Sequence, residues 1–439
     1  MTKVVKFGGS SLASAEQFKK VKAIIKAEDS RRFVVPSAPG KRFSDDIKVT
    51  DMLYGCYDLA AKGKDFTEAF DKIKERYYGI INELGLDLSL ETEFDTIRAC
   101  FIGKAGRDYA ASRGEYLNGI VLANYLGYNF VDAADVIYFN DQGQFDSVKT
   151  NEVLSKRLAT LENAVVPGFY GSMPNDTIKT FSRGGSDVTG SIVAAAVNAD
   201  LYENWTDVSG FLICDPRVVK DPKPITTITY KELRELSYMG ATVLHEDAIF
   251  PVRKAGIPIN IKNTNKPEDV GTMIVESTSQ KPEFTITGIA GKKGFTVINI
   301  EKDMMNAEIG FGRRVLEVFE KNGICFEHMP SGIDTMSVVV HQAEFADKEQ
   351  EILAGLHRNC HPDTIDIETD LALIAIVGRA MKSNRGTAGR IFSALAHAHV
   401  NVKMIDQGSS ELNVIVGVNE DDFNKALKAI YSIFVDTQL

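Results

Sequence analysis

The chain has 439 residues, of which 44% are apolar and 25% charged, so it can bury a sizeable core and should form roughly two to four domains. Its formal net charge of -10 argues against nucleic acid as the main partner, although a local basic pocket for a small anion is compatible with it. The five cysteines are scattered, and no apolar run is long enough for a signal peptide or a membrane span, which predicts a soluble cytoplasmic protein with reduced thiols.

The beginning of the chain reads as strand, helix, strand. Lys3–Phe7 has the composition of a buried strand, and Ser14–Ala27 spaces its apolar residues along one face of a helix. Phe33–Gly40 continues as a strand that ends in a turn. This order predicts a parallel α/β unit with a right-handed connection.

The alternation of helices and strands continues to about residue 275. The predicted helices cover 50–81, 91–126, 186–199 and 231–250. The predicted strands are the two arms of a hairpin in 165–181, with a turn at Pro174-Asn175-Asp176, the first part of 201–217, which continues as a loop, and 257–263. Residues 276–283 have the composition of a linker.

An internal repeat follows this linker. The segment that starts at Met305 and the segment that starts at Met381 match at an offset of 76 residues (381 minus 305), without a gap. The offset pairs Gly310 with Gly386 and, near the end of each copy, Gly332 with Gly408. Each copy reads as a βαββ unit, and duplicated units of this kind usually stack on each other.

Two glycine-rich turns precede helices in the first part of the chain. In "KFGGSS", backbone N–H groups of the turn and the charge of Lys6 suit a phosphate, but a tight turn beside a solvated lysine explains the pattern equally well. In "FSRGGSD", Ser182 or Ser186 could cap the helix, and Arg183 is a fork donor for a carboxylate or phosphate. Asp187 is either a functional acid or an ordinary helix-start carboxylate.

Two further motifs are weak when each is taken alone. "SRGE" (112–115) reads most simply as a salt bridge at a helix start. "WTDVSGFLICDPR" (205–217) is either an ordinary polar connection or a nucleotide site beyond the end of a strand. The histidines show no metal-ligand spacing and support no Ser-His-Asp arrangement.

Taken together and in this order, "KFGGSS", "SRGE", "SRGGSD", "WTDVSG" and "DPRVV" resemble the aspartokinases, and the resemblance covers nearly the whole chain. It implies an α/β amino-acid-kinase fold, with a mainly parallel sheet between helices, followed by two α+β ferredoxin-like ACT domains. The implied boundaries are 1–278 for the catalytic domain, 284–365 for the first ACT domain and 366–439 for the second. The repeat ends close to the end of the chain, which predicts a monofunctional enzyme.

The resemblance implies that the γ-phosphate of ATP, with Mg²⁺, is transferred to the side-chain carboxylate of L-aspartate. The product is 4-phospho-L-aspartate, the first intermediate toward lysine, threonine and methionine. An ionised carboxylate needs no general base, which agrees with the absence of a candidate catalytic histidine.

The site residues implied by the resemblance fall into three groups. The catalytic residues are Lys6 and Asp187. The aspartate-binding residues are Ser37, Thr50, Glu115 and Arg183. The nucleotide-binding residues are Gly8, Gly9, Ser10, Thr206, Asp207, Asp215 and Arg217, and no metal ligands are predicted.

The chain departs from many relatives at two places. Thr242 stands where a lysine near the nucleotide is common, and Glu246 stands where proline is common. The stretch Lys41–Lys48 is longer than in many relatives, and its cations either supply charge to the site or only form a solvated lid.

The duplicated ACT unit implies feedback inhibition by lysine or threonine, without naming which, and at least a homodimer. The residues on the effector-pocket pattern are Met305, Phe311, Phe326, Glu327, Ser331 and Gly332. Two alternatives stay open: a kinase for glutamate or acetylglutamate, and a catalytically silent amino-acid sensor.

Overall fold

The computed structural model describes residues 1–182, 184–241, 244 and 248–437. The chain divides into two compact units. The first unit consists of residues 1–211, 224–230 and 243–278, and the second of residues 212–223, 231–242 and 279–439.

The strands have the following bounds: β1 (Lys3–Phe7), β2 (Arg31–Pro36), β3 (Asn129–Phe130), β4 (Ala164–Val165), β5 (Tyr170–Ser172), β6 (Ile178–Thr180), β7 (Leu201–Thr206), β8 (Thr227–Thr229), β9 (Ile259–Asn263), β10 (Thr272–Val275), β11 (Gly288–Glu301), β12 (Thr335–His341), β13 (Thr364–Val377), β14 (Met404–Asp406) and β15 (Asn413–Asn419).

The helices have the following bounds: α1 (Ala15–Lys26), α2 (Val49–Ala61), α3 (Thr67–Leu84), α4 (Glu91–Ile102), α5 (Arg107–Leu126), α6 (Ser147–Ala159), α7 (Gly185–Ala196), α8 (Tyr230–Tyr238), α9 (Phe250–Ala255), α10 (Phe311–Lys321), α11 (Gln342–Ala346), α12 (Glu349–Cys360), α13 (Thr387–His397) and α14 (Phe423–Tyr431).

The first unit is built on one mainly parallel sheet. Within the described residues, eight strands form this sheet in the order β3-β4-β2-β1-β7-β9-β10-β8, and β10 runs antiparallel to β9 while the other neighbours are parallel. Phe7 is in register with Pro36 on one side and with Trp205 on the other. The carboxyl ends of these central strands therefore meet at one edge of the sheet, which is where open α/β sheets bind ligands. This sheet confirms the predicted α/β class.

The core of the first unit holds this edge in place. Helices α1 to α5 bury a continuous apolar cluster together with side chains of β1 and β2. Trp205 is 1% exposed and stacks on Phe7 with 6.0 Å between the ring centroids. Burial of two large aromatic rings at the strand ends makes the backbone that follows them rigid.

The second unit contains both copies of the repeat in one antiparallel sheet, with the strand order β12-β11-β13-β15-β14 among the described residues. The offset of 76 residues holds for the long strands β11 and β13 and for the helices α10 and α13. Gly310 and Gly386 precede these helices with φ values of +80° and +84°, a left-handed conformation that glycine adopts without a Cβ penalty.

The gapless register of the repeat is wrong in its last part. β15 follows β12 by 78 residues (413 minus 335), so the second hairpin carries two more residues than the first. His328 bridges to Val339, whereas the corresponding Met404 pairs with Gly417. The matched glycines Gly332 and Gly408 therefore lie in turns of different length.

Two other local predictions differ from the structure. The helix predicted for 231–250 ends at Tyr238, and a separate helix begins at Phe250. β13 starts at Thr364, so the expected division between residues 365 and 366 falls inside a strand. Within the described residues, none of the helices is long and apolar enough to pass through a bilayer.

Candidate active site

A cleft of about 600 Å³ opens at the carboxyl ends of β1, β2 and β7. Its lining brings together most of the predicted site residues of the first unit, namely Gly8, Gly9, Ser10, Ser37, Thr50, Glu115, Thr206 and Asp207. These residues come from five separate stretches of sequence, and the sheet edge is what makes them neighbours.

The glycine-rich turn is packed backbone against backbone. The N–H of Gly40 donates to the carbonyl oxygen of Gly9 at 2.8 Å, and a Cβ on Gly40 would lie only 2.6 Å from the Gly9 carbonyl carbon. The N–H of Gly8 already donates to the carbonyl oxygen of Trp205 at 3.0 Å. The turn therefore offers a ligand the N–H groups at the start of its short 3₁₀ segment, Gly9–Leu12, rather than that of Gly8.

Lys6, Asp187 and Asn204 form a polar triad beside this turn, in which Lys6 and Asn204 are buried and Asp187 is partly exposed. The Nζ of Lys6 lies 2.6 Å from Oδ1 of Asp187, and the Nδ2 of Asn204 donates to the same oxygen at 2.8 Å. The Oδ1 of Asn204 lies 3.5 Å from the lysine Nζ. Asn204 is in register with Lys6 on the neighbouring strand, so the amide orients the carboxylate and the ammonium group together.

Asn204 was not predicted from sequence. It lies inside a strand whose residues are nearly all buried, where a polar residue carries no local motif. A buried asparagine in such a strand requires hydrogen-bond partners, and this requirement was the available signal.

The turn before α7 is capped by glycine rather than by serine. Gly184 occupies the N-cap position with a φ of +59°, and neither Ser182 nor Ser186 caps the helix. The predicted serine cap is therefore wrong, because the left-handed glycine turns the chain into the helix by itself. Asp187 lies in the first turn of α7, as predicted. Arg183 lies outside the described residues.

Glu115 is a buried acceptor that faces the cleft. It is 6% exposed, and its Oε2 has no hydrogen-bond partner among the described residues. Burial raises the pKa of Glu115 from 4.5 to about 8, and hydrogen bonds from the backbone oppose this shift only in part. A cationic group that enters the cleft would gain a hydrogen bond and would favour the ionised form of this carboxylate.

The "SRGE" motif is not a salt bridge at a helix start. It lies within α5, and Arg113 packs over the rings of Tyr109, Tyr116 and Tyr170 at 4.6, 4.4 and 5.2 Å. Positions 113 and 115 point to different sides of a helix, which separates the arginine from the carboxylate. Gly114 between them lets α5 approach β2, since a Cβ there would lie 2.7 Å from the Cβ of Ala38.

Phe169 is a second residue that the sequence did not single out. Its φ of +83° is uncommon for a residue with a side chain, and such strain often marks functional sites. Its N–H donates to the hydroxyl of Thr189 at 2.9 Å, and its ring lies against Gly185 at the start of α7. This packing fixes the backbone two residues before Asp187.

The predicted nucleotide residues divide between the units. Thr206 and Asp207 line the cleft, and the Oγ1 of Thr206 lies 3.3 Å from the Asp207 carboxylate. Asp215 and Arg217 belong to the second unit, where the arginine Nη2 donates to the aspartate Oδ2 at 2.6 Å. Thr242 and Glu246, the two departures from many relatives, lie outside the described residues.

The predicted effector residues of the second unit have mixed surroundings. Met305 and Phe311 are buried in the apolar core of the first repeat, whereas Phe326 is 46% exposed. The Oε1 of Glu327 lies 3.1 Å from Nε2 of His341. Ser331 and Gly332 are exposed in the turn before β12, where the N–H of Gly332 donates to the carbonyl of Thr335.

The chain resembles known proteins over its full length. Residues 1–263 match the amino acid kinase family, and residues 374–434 match an ACT domain. Aspartokinase 3 of Bacillus subtilis is 40% identical over 447 residues, which cover 98% of each chain.

Solved structures agree with this match. Aspartate kinase of Clostridium acetobutylicum, described as an allosteric enzyme, has a TM-score of 0.90 at 53% identity and covers 98% of this chain and 99% of its own. Aspartokinase III of E. coli, solved with aspartate and ADP and also with lysine and aspartate, shares the fold with a TM-score of 0.74, at 24% identity and 99% coverage of both chains.

Proposed function

The chain belongs to the amino acid kinase family and, within it, to the aspartate kinases, and from this premise we propose that it transfers the γ-phosphoryl group of ATP to the side-chain carboxylate of L-aspartate. The product is 4-phospho-L-aspartate, which would supply the biosynthesis of lysine, threonine and methionine. One observation carries this proposal: the same cleft is lined by Glu115 and by the glycine turn beside Lys6. Glu115 is buried, and its Oε2 has no hydrogen-bond partner among the described residues.

Each end of this cleft suits one part of the reaction. The Oε2 of Glu115 is a buried acceptor for the α-ammonium group of aspartate, and the hydroxyls of Ser37 and Thr50 line the same cleft. Arg183 is assigned to the substrate α-carboxylate by resemblance. The glycine turn, Thr206 and Asp207 are assigned to the nucleotide, and Asp215 and Arg217 keep the nucleotide assignment that the resemblance implies.

The Nζ of Lys6 lies 3.6 Å from the place that a Cβ on Gly8 would take, and Asp187 and Asn204 hold this ammonium group in one orientation. Phosphoryl transfer depends on alignment and on neutralisation of charge at the phosphoryl oxygens. The attacking carboxylate is ionised at neutral pH, so proton removal is not needed. We assign Lys6 to the transferring group and Asp187 and Asn204 to its orientation.

Magnesium is assigned to the nucleotide rather than to the protein. Within the described residues, no three His, Cys, Asp or Glu side chains are grouped to hold a metal ion. Mg²⁺ would accompany the ATP phosphates, where it neutralises part of their charge.

Regulation by lysine or threonine at the ACT repeats, and assembly into at least a homodimer, complete the proposal. The relative from C. acetobutylicum is described as allosteric, and the E. coli enzyme was solved with lysine. The effector residues keep the assignment made from sequence, with Glu327 as the acceptor for an effector ammonium group. A cytoplasmic location stays a prediction.

The test is the rate of ADP formation from MgATP and L-aspartate, with and without lysine or threonine. L-Glutamate and N-acetylglutamate serve as control substrates, and size-exclusion chromatography with light scattering gives the oligomeric state. We expect turnover with aspartate alone among the three substrates, lowered by one of the two amino acids. Turnover with glutamate instead would overturn the substrate, and no turnover with any substrate would favour the sensor alternative.

A further inference from the structure

The stretch Lys41–Lys48, called the insert below, forms part of the wall of the catalytic cleft. Lys41, Arg42, Phe43, Ser44 and Lys48 line the cleft. Among the described residues that line it, the carboxylates are Glu115 and Asp207, and the cations all come from the insert. The insert therefore decides whether the mouth of the cleft attracts or repels a polyanion.

The insert starts directly at the glycine-rich turn. Gly40 packs on Gly9 with the 2.8 Å hydrogen bond described above, and Lys41 is the next residue. The Nζ of Lys41 donates to the carbonyl oxygen of Ser44 at 3.1 Å, which folds the lysine back over its own turn. The backbone contact thus limits how far the Lys41 ammonium group can lie from the turn.

A charged cluster of Arg42, Asp46 and Arg76 fixes the position of the insert. The Oδ2 of Asp46 accepts hydrogen bonds from the Nε of Arg42 and from the Nη1 of Arg76, both at 2.8 Å. The Nη2 of Arg76 donates to the carbonyl oxygens of Ala13 and Gly40, at 3.0 and 2.7 Å. Arg76 is buried in α3, so it joins the insert to the segment that follows the glycine turn.

In this cluster Arg42 is paired with Asp46, which leaves Lys41 and Lys48 as the other two basic residues of the insert. The hydrogen bonds from Arg42 and then Arg76 hold the pKa of Asp46 well below its ordinary value, so the anchor stays ionised at neutral pH. Lys41 and Lys48 are exposed, and within the described part of the chain neither forms an ion pair with a carboxylate. Lys6, the remaining cation near the turn, already shares its charge with Asp187.

We propose that Lys41 and Lys48 bind the polyphosphate of the nucleotide, and that the cluster of Arg42, Asp46 and Arg76 is the structure that positions them. The inference rests on the proposed use of ATP. Lysine is a flexible point charge suited to phosphate oxygens, whereas the carboxylate of aspartate is matched better by the fork of an arginine. The insert is therefore a built part of the nucleotide site and not a solvated lid.

The test compares the double variant Lys41→Met/Lys48→Met with the control Lys62→Met/Lys64→Met. The control removes the same two charges from exposed positions that do not line the cleft. We expect the first variant to raise the KM for MgATP by on the order of tenfold, because charge-assisted contacts are stronger than neutral ones, with the KM for aspartate unchanged. The variant Lys41→Arg/Lys48→Arg should retain a KM for MgATP close to that of the unmodified chain.

Binding of inorganic tripolyphosphate, measured by calorimetry, separates this inference from the proposed function, because it requires no turnover. The unmodified chain and the control should bind it equally, and the first variant should bind it on the order of tenfold more weakly and with a smaller dependence on salt. Unchanged tripolyphosphate binding in the first variant, or an increase of the KM for aspartate alone, overturns the inference. Absence of ATP turnover in the unmodified chain counts against the proposed function and leaves the binding result to decide on the insert.

Discussion

Glu115 of the first unit and Glu232 of the second are both buried, and they differ in how completely they are paired. In the second unit, Glu232 is fully buried, and it accepts hydrogen bonds from the hydroxyl of Thr287 at 2.6 Å and from the backbone N–H and guanidinium of Arg379 at 2.9 and 3.0 Å. We call these three residues the clamp. In the first unit, Glu115 is almost as buried, but one of its oxygens has no partner among the described residues.

The difference in pairing separates two kinds of buried carboxylate. A buried charge whose acceptor positions are filled holds elements together, and the clamp joins α8 to the end of β13 and to the segment before β11. A buried carboxylate oxygen that accepts no hydrogen bond from the protein has an uncompensated free-energy cost of desolvation. A bound ligand that donates a hydrogen bond to this oxygen offsets that cost. The clamp therefore has the pairing of a structural contact, whereas Glu115 has the unpaired oxygen that we propose binds the substrate.

The largest effect should come from breaking the clamp. Arg379→Met removes the guanidinium group from the buried Glu232 carboxylate, and loss of one partner of a buried pair costs about 3–5 kcal/mol. Guanidinium unfolding should show this loss, while kcat of the folded enzyme at 25 °C stays close to the unmodified value. The double variant Glu232→Gln/Arg379→Met, which removes both charges, should recover much of the stability. A kcat that falls together with stability in both variants would remove the distinction between the clamp and Glu115.

The next effect concerns Lys6, which we propose contacts the transferring phosphoryl group. Under this proposal Lys6→Ala removes that cation, and loss of one such stabilising group lowers kcat by about 10²–10³-fold. The KM for aspartate should change little, since this contact matters most in the transition state. Steady-state kinetics test this, with Lys19→Ala, an exposed lysine of α1, as the control. An unchanged kcat would show that the triad is structural, like the clamp.

Glu115→Gln should separate affinity from stability. We expect a higher KM for aspartate, corresponding to about 1.5–3 kcal/mol for the lost charge-assisted contact. In the unmodified chain, aspartate binding requires the ionised carboxylate, so affinity should rise as the pH increases through about 8, the pKa of Glu115. The variant should lose this pH dependence, which measurements of KM between pH 6 and 9 would reveal.

The same variant should lose affinity for aspartate but gain stability relative to the unmodified chain. Because the folded-state pKa of Glu115 is raised from 4.5 to about 8, its contribution to stability is complete below pH 4.5 and is lost as the pH rises through 8. Glutamine does not titrate, so Glu115→Gln should gain stability relative to the unmodified chain between pH 5 and pH 9. Thermal unfolding across this range tests the sign, and a loss of stability at pH 9 would mean that Glu115 is paired like Glu232.

The smallest effect is expected at Asn204. Asn204→Ala removes one hydrogen bond to Asp187 and the contact with Lys6, and a single hydrogen bond contributes about 0.5–1.5 kcal/mol. We expect a fall in kcat of at most about tenfold, and no further fall when the change is added to Lys6→Ala. Additive losses in the double variant would show that Asn204 does not act through the lysine.

Sequence reasoning was most successful where a pattern is local. The strand Lys3–Phe7, the turn after it and the helix from Ala15 follow from apolar spacing and turn residues within a few positions. The repeat was found for the same reason, because its strands and helices keep the offset of 76 residues. The shift to 78 in the last strands escaped notice because short turns carry little sequence signal.

Predictions that depended on partners from distant segments were less complete. The cap of α7 was assigned to serine because serine is a usual cap, while the structure uses Gly184. Gly8 was expected to present its N–H to phosphate, but that group donates to Trp205, almost two hundred positions later in the chain. Arg113 was paired with Glu115 by proximity in sequence, whereas its guanidinium packs on tyrosine rings.

The sequence by itself determined the fold class, the duplicated second unit and the identity of most residues in the cleft, because periodicity, glycine turns and ordered motifs are properties of neighbouring positions. Only the tertiary structure decided which polar atoms are satisfied and which are left for a ligand. Asn204 reaches Lys6 across 198 positions and Asp187 across 17, and the insert reaches its anchor, Arg76, across 30. Hydrogen-bond partners are set by distance in space, so the difference between Glu115 and Glu232 exists only once the chain has folded.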